Sequence, residues 1–478
     1  ASAAEQLAGG FGWGAFAKAT DLKQRLWFTL GALIVYRIGS YIPIPGIDPQ
    51  VLQEIFNAQR GGILGMFDML AGGALSRMTL FALNFMPYIS ASIIIQLMTA
   101  VAPTLEALKK EGATGRQKLN QYTRYLTLIL AVFQSYGIAV GLQGSTGQSG
   151  ALVLIHPIAF QITTVVTLTG GTLFLMWLGE QITARGVGNG TSLIIFAGIV
   201  ANLPSALAAL LELGRTGALS TIFIILMLLI AVGVIAAIVF LERAQRRILV
   251  QYPKRQVGNK MYGGQSSHLP LKINTSGVIP PIFASSLLLL PLTFANFGSA
   301  GDQPAWLQAI TTHLAHGQPL YILLYVGLIV FFAFFYTAVV FNPVETADNL
   351  KKHGGFVPGI RPGKNTADYL DFVLTRLTVL GAVYLSVICV LPEILISQYS
   401  VPFYFGGTSL LIVVSVTMDT VAQVHSHLIA HQYEGLIKKA NKLKPTREGA
   451  SPRLAARGAS VGGEARSLVD RLLGRKGG

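Results

Sequence analysis

Charge is what this 478-residue chain has least of: Asp, Glu, Lys and Arg make up 12% of it, where soluble globular proteins carry about 25%. Too few charged side chains exist to cover a water-facing surface, so a soluble core-and-shell fold is excluded. Cysteine is almost missing as well. Cys389 is the single one and lies inside an apolar run, so no intrachain disulfide can form and packing alone holds the fold. Acidic residues are outnumbered, 21 against 36 Lys and Arg, which leaves a formal net charge of +15. Whatever stays in water is therefore basic and suited to anionic lipid, RNA or acidic protein surfaces. What the chain has in excess is apolar: 52% hydrophobic residues and a mean hydropathy of +0.56. A disordered or collagen-like chain is excluded on that count. A polytopic membrane protein remains.

A hydrocarbon core about 30 Å thick needs roughly 20 apolar helical residues to span it. Ten stretches qualify: residues 26–44, 80–101, 125–141, 158–179, 191–211, 218–241, 273–297, 320–341, 377–396 and 403–429. The expected fold class is an all-α membrane protein of ten transmembrane helices. Ten spans put both ends on one side, and basic residues choose the side. Thirty-two of the 36 Lys and Arg fall on the face of the termini, three (Arg60, Arg77, Arg215) on the other, and Arg37 inside the first span. The terminal face reads as cytoplasmic. The first apolar run has no small-x-small cleavage site and reads as a retained helix. The spans divide five and five, which suggests two halves of inverted topology. Residues 1–25 are a cytoplasmic segment, 26–211 the first half, 212–217 an external hinge and 218–440 the second half. Residues 441–478, rich in Arg, Gly and Ala, read as a basic disordered tail.

Three water-side segments stand out. Residues 48–77 contain GGILGMFDMLAGGALSR, in which Ile63, Met66, Phe67 and Leu70 recur at helical spacing between glycine pairs. The run is too short to cross and reads as a re-entrant or interfacial half-helix. Loop 242–272 carries RAQRR and YPKRQVGNK, and loop 342–376 carries NLKK and FVPGIRPGK. Both are basic, cytoplasmic and long enough to dock a large partner.

Catalytic signatures are missing. No HExxH or paired-Cys motif occurs, PGIRPGKN at 358–365 lacks the residues of a phosphate loop, and no nucleophile has a base at useful spacing. Neither an enzyme nor a metal or other cofactor is expected. Two ionisable groups fall within spans. Asp419 reads as a carboxylate near the cytoplasmic interface, and Arg37 as a residue that caps backbone carbonyls.

Long strings now carry a resemblance. YRIGSYIPIPGID, GGALSRMTLFALNFMPYISASIIIQLMT, FLMWLGEQITARGVGNGTSLIIFAGIV, HLPLKINTSGVIPPIFASS and FFYTAVVFNPVETADNLKKHGGFVPGIRPGKNT resemble the SecY family, the central subunits of the bacterial protein-secretion channel. The resemblance runs from about Lys23 to Lys442 in unbroken order. It implies an inverted repeat around an hourglass pore and a plug matching residues 61–77. It implies an apolar pore ring of Phe85, Ile89, Thr191, Ile195, Ile282 and Ile412, of which Phe85 and Thr191 depart from the family's habitual isoleucine. It also implies a lateral gate between spans two–three and seven–eight, with Gln96 and Asn274 at its polar positions. The basic loops match docking surfaces for the motor ATPase SecA and for the ribosome, through Arg246, Arg247, Lys254, Arg255, Lys260 and Arg361. Further implied partners are SecE- and SecG-like single-span subunits, unfolded precursors with signal sequences, and anionic lipid. The implied location is the bacterial inner membrane. A second reading, an inverted-repeat solute transporter, requires charged or broken-helix ligands at the midplane, where the matched ring is apolar.

Overall fold

A computed structural model describes residues 20–59, 68, 71–143, 146–147, 150–217, 220–253, 255–257, 260–262, 266–295, 313, 318–399 and 407–442. The expected plug side chains Ile63, Met66, Phe67 and Leu70, together with Lys254 and the tail from residue 443, lie outside the described residues. Residues 25–421 form one compact unit, and the chain's two ends belong to a second.

The described chain is mostly helical. Its helices are α1 Thr20–Gly39, α2 Pro49–Gln59, α3 Met86–Val101, α4 Pro103–Lys110, α5 Ala113–Gln143, α6 Pro157–Arg185, α7 Gly190–Arg215, α8 Thr221–Arg243, α9 Ile279–Ala295, α10 Pro319–Val340, α11 Pro343–Lys352, α12 Lys364–Tyr399 and α13 Gly407–Lys442. Seven helical stretches among the described residues are long and apolar enough to cross a bilayer, and α3 with α4, bent by 98° at their junction, makes an eighth. Adding α1 and the shorter apolar part of α9, Ile279–Leu288, gives one helix to each of the ten apolar stretches.

The edges differ from hydropathy for physical reasons. Apolarity begins at residue 80, but α3 starts only at Met86, because Met78 and Asn84 adopt positive φ (42° and 47°) and a proline follows at the first helical turn. Helix α5 runs 31 residues rather than about 17, carrying Arg116, Lys118 and Arg124 on its polar first turns. Side chains satisfy several helix starts: the Asn189 carboxamide oxygen accepts from the Thr191 and Ser192 N–H groups, and Asn342 does the same for Val344 and Glu345.

Loop 242–272 folds as a β-hairpin. Strand β3 Gln245–Gln251 pairs antiparallel with β6 Ser266–Lys272, and a shorter pair, β4 Arg255–Val257 with β5 Lys260–Tyr262, follows within the same loop. Between α5 and α6, β1 Thr146–Gly147 pairs with β2 Gly150–Ala151.

Two apolar cores organise the compact unit. One joins α3, α8, α9, α10, α12 and α13 around Phe283, Tyr325, Phe332 and Leu385. The other joins α1, α3, α6, α7 and α13 around Tyr36, Phe85, Leu175, Ile194 and Ile412. Helix α3 contributes to both and packs against α5 on one side and α9 on the other.

Candidate functional site

Five of the six expected ring residues meet in one place. Phe85, Ile195 and Ile412 are buried in the second core, and the half-buried Ile89 and Ile282 pack against it. They come from the start and first turn of α3, from α7, from α9 and from α13. Thr191, in the first turn of α7, is reached through Gly179 of α6. A Cβ added to Gly179 would lie 3.4 Å from Phe85 Cζ and 3.5 Å from Thr191 Oγ1. Five of the six side chains thus share one apolar cluster, the collar, and Thr191 adjoins it through Gly179.

Glycine lets the collar's frame close up. A Cβ on Gly190 would stand 1.9 Å from the Gly179 carbonyl oxygen, and one on Gly171 would stand 2.0 Å from that of Leu80. The α6–α7 joint is polar as well as tight, since Thr183 Oγ1 donates to Gly179 O (2.9 Å) and accepts from the Gly190 N–H (2.9 Å).

Residues 71–85 lead into α3 in successive turns that end at Phe85 of the collar. Arg37 holds this stretch as a carbonyl cap, the role its place in the first span suggests. Its Nη1 donates to Gly72 O (3.0 Å) and its Nη2 to the Tyr41 hydroxyl (2.8 Å). Arg77 Nη2 donates to the same carbonyl (3.1 Å), and both guanidinium groups lie over the Tyr41 ring, at 4.8 and 4.2 Å. Gly72 and Gly73 have φ of +66° and +80°, and a Cβ on Gly72 would meet Gly198 Cα at 3.0 Å. Only glycine fits that approach. Asp68 Oδ1 accepts from the Ser76 N–H (2.6 Å), and burial raises the Asp68 carboxyl above the usual carboxylate range. Phe81 stacks between Tyr36 and Phe174, at centroid distances of 5.9 and 6.0 Å. Tyr41 and Phe81 lay outside the expected site, and Arg77 ended the expected plug with no side-chain role assigned to it, although the spacing of Arg37 and Tyr41 by one helical turn is visible in the sequence.

The seam between α3 and α9, where a lateral gate is expected, is mainly apolar, with Ile93 and Leu97 against the core of Phe283 and Leu288. Ser286 Oγ donates to Met86 Sδ at 3.9 Å. The two expected polar residues turn to other partners. Gln96 donates to Ser92 one turn back (3.2 Å), while Asn274 Nδ2 donates to Glu242 Oε1 (2.6 Å) and to Gly277 O (3.1 Å).

The two basic loops join. Gln251 and Phe356 exchange backbone N–H to O bonds of 2.9 and 3.0 Å, and Ile248, Leu271, Val357 and Leu370 form a shared core beneath them. Arg246, Arg247 and Arg361 are exposed on this platform. Gly359 and Gly363, at φ +81° and +104°, shape the turn that carries Arg361, whose carbonyl accepts from Thr366 Oγ1 (2.9 Å).

Known proteins match over nearly this whole extent. The SecY family profile covers residues 79–421. The chain is 58% identical over 424 residues to the protein translocase subunit SecY of Rickettsia conorii, spanning 89% of this chain and 97% of that one. To the SecY subunit of Escherichia coli K12 it is 59% identical over 421 residues, spanning 88% and 95%. A solved SecY structure, described by a plug domain that stabilises the closed state of the translocation channel, superimposes with a TM-score of 0.60 at 18% identity, covering 85% of this chain and 92% of that one. The fold, the order of the motifs and the extent of identity agree: this multi-pass membrane chain belongs to the SecY family of protein translocase subunits.

Proposed function

We propose that the chain is the central subunit of a Sec protein-conducting channel, which moves unfolded secretory polypeptides across the bacterial inner membrane and releases apolar segments sideways into lipid. The observation that carries the reading is the convergence of Phe85, Ile89, Ile195, Ile282 and Ile412 on one apolar cluster. An extended chain can part such a collar without binding it, and the collar reseals by the same burial. Phe85 and Thr191 adjust it in opposite ways: the phenyl ring fills the centre, while the hydroxyl softens the seal on the α7 side.

Around that pore, residues 26–211 and 218–440 act as two halves hinged at 212–217, with residues 61–77 as the plug between them and the outside. The apolar seam serves as the lateral gate, Gln96 and Asn274 flanking it. Arg246, Arg247, Lys254, Arg255, Lys260 and Arg361 offer charge to rRNA phosphates or acidic protein, suiting the platform to SecA and the ribosome in turn. With both termini cytoplasmic, loops 242–272 and 342–376 and the tail face the side from which those partners and anionic lipid headgroups act. Subunits resembling SecE and SecG clamp the halves. No engine is built in, so the driving force comes from the partner.

A photo-crosslinking residue at Ile282, with a secretory precursor stalled midway in SecA-driven proteoliposomes, tests the path. Crosslinking to the mature part of the precursor is expected. Silence at Ile282, Phe85 and Ile412 while translocation proceeds would put the path elsewhere.

A further inference from the structure

Behind the collar sits an ion pair that the pore reading leaves unused. Arg124 of α5 donates through Nε to Glu180 Oε1 and through Nη2 to Oε2, both at 2.8 Å. This fork fixes angle as well as distance. Its side chains keep 46% and 41% of their exposure, so the bond adds little to stability and its consequence lies in geometry. Glu180 directly follows Gly179, the residue against which Phe85 and Thr191 both rest. Tyr88 of α3 closes the circuit, with its ring 6.2 Å from that of Phe85 in an edge-to-face arrangement and both charges of the pair within electrostatic reach.

From this arrangement we infer that Arg124 and Glu180 are positioning residues for the collar: they set how far Gly179 projects toward Phe85 and Thr191, and so set the resting aperture. The transmission needs no mobile linker. Gly190 already lies so close to the Gly179 carbonyl that α6 cannot press nearer without moving it, and Thr183 ties the two by bonding to Gly179 O and to the Gly190 N–H at once. A displacement of α6 at residue 180 is therefore carried into the first turn of α7, where Thr191 sits. A close-packed joint responds to such a displacement as a unit rather than absorbing it. The pair acts at one wall of the ring, the wall formed by the two residues that depart from isoleucine.

This inference rests on the collar reading, and the experiment separates the two. The full chain, reconstituted with its partner subunits in planar bilayers, is compared as wild type, Arg124→Glu, Glu180→Arg, the double reversal, and Ile282→Gly. Resting ion conductance and the unfolding midpoint are both measured. Each single reversal is expected to raise the resting leak several-fold, and the double reversal, which restores the pair with its polarity exchanged, to return it close to wild type. Unchanged leak in the single reversals while Ile282→Gly leaks would leave the collar standing and overturn the positioning role. A leak that the double reversal fails to repair would assign the effect to local charge and overturn it too. Should Ile282→Gly also stay silent, the collar reading fails and the inference falls with it. If the reversals do not assemble, Arg124→Lys keeps the charge and loses the fork. An intermediate leak then supports the inference, and a wild-type leak overturns it.

Discussion

Residues 71–85 and the α3–α9 seam both adjoin the collar and are held by different forces. The return stretch is fixed by charged donors on a backbone carbonyl, by stacked rings and by glycines whose missing Cβ leaves no spare volume. The seam is held by aliphatic and aromatic side chains and one sulfur contact. In hydrocarbon, apolar contacts can be exchanged for those of lipid or of another apolar helix at almost no transfer cost. A guanidinium bond to a part-buried carbonyl is exchanged less readily, because a donor that loses its acceptor keeps a desolvation cost. Under the proposed reading, that contrast suits the seam to part sideways and the return stretch to stay. Substitutions that remove polar or close-packed contacts should therefore cost much in the return stretch and little in the seam.

The largest effect is expected at Gly171. In Gly171→Ala the new methyl meets the Leu80 carbonyl at 2.0 Å, and backbone has to move. Overpacking of this kind costs about 3 kcal/mol, read as a lowered unfolding midpoint in detergent. A wild-type midpoint would show that the α6 contact with the return stretch is looser than described. Next comes Arg37→Leu, which strips one of the two donors from Gly72 O and leaves the Tyr41 hydroxyl without its partner. Bonds from a charged donor suggest a loss of about 2 kcal/mol. Arg37→Lys should lose roughly half as much, since a point charge cannot span both acceptors. Equal midpoints for Leu and Lys would locate the effect in the fork rather than in the charge. At the seam, Ser286→Ala removes only the 3.9 Å sulfur contact and should stay within about 0.5 kcal/mol of wild type. A loss as large as that of Arg37→Leu would erase the contrast between the two boundaries.

Ten spans are legible in the sequence because a bilayer demands some twenty apolar residues for each crossing, whatever lies around them. The role of Arg37 was legible for the same reason: a charge inside a span must find a partner. The collar was legible only through its motifs, since Ile89 or Ile282 alone reads as ordinary helix packing. The start of α3 was hidden. LFALNF is apolar whether helical or turned, and only Asn84 and Pro87 mark the change. The β3–β6 pairing was masked by turn residues, although Ile248 and Val250 alternate inward as a strand requires. The partner of Asn274 could not be read at all. For Asn274 the acceptor depends on how segments 32 residues apart come together, and Glu242 supplied it, whereas Gln96 found Ser92 at i−4, a pairing open to any helix.

The smallest expected effect sharpens the account of the return stretch through pH. Asp68 is desolvated by burial, which raises its carboxyl above its ordinary value, while the Ser76 hydrogen bonds and the charge of Arg77 pull it down to a lesser degree. A raised acid favours the protonated form in the folded state. Its contribution to stability is therefore complete below the unfolded pKa, about 3.9, and is lost as pH rises through the higher folded value. Asp68→Asn keeps an oxygen acceptor for the Ser76 N–H and carries no charge to desolvate. The unfolding midpoint of the wild type should fall relative to that of Asp68→Asn as the buffer moves from just below pH 4 toward neutrality, with the two curves parallel once the wild-type carboxyl has ionised. Parallel curves across the whole range would mean that Asp68 meets enough water or countercharge to ionise as freely folded as unfolded. A wild type that gains on the variant with rising pH would reverse the sign and make Arg77 an ion-pair partner that outweighs burial.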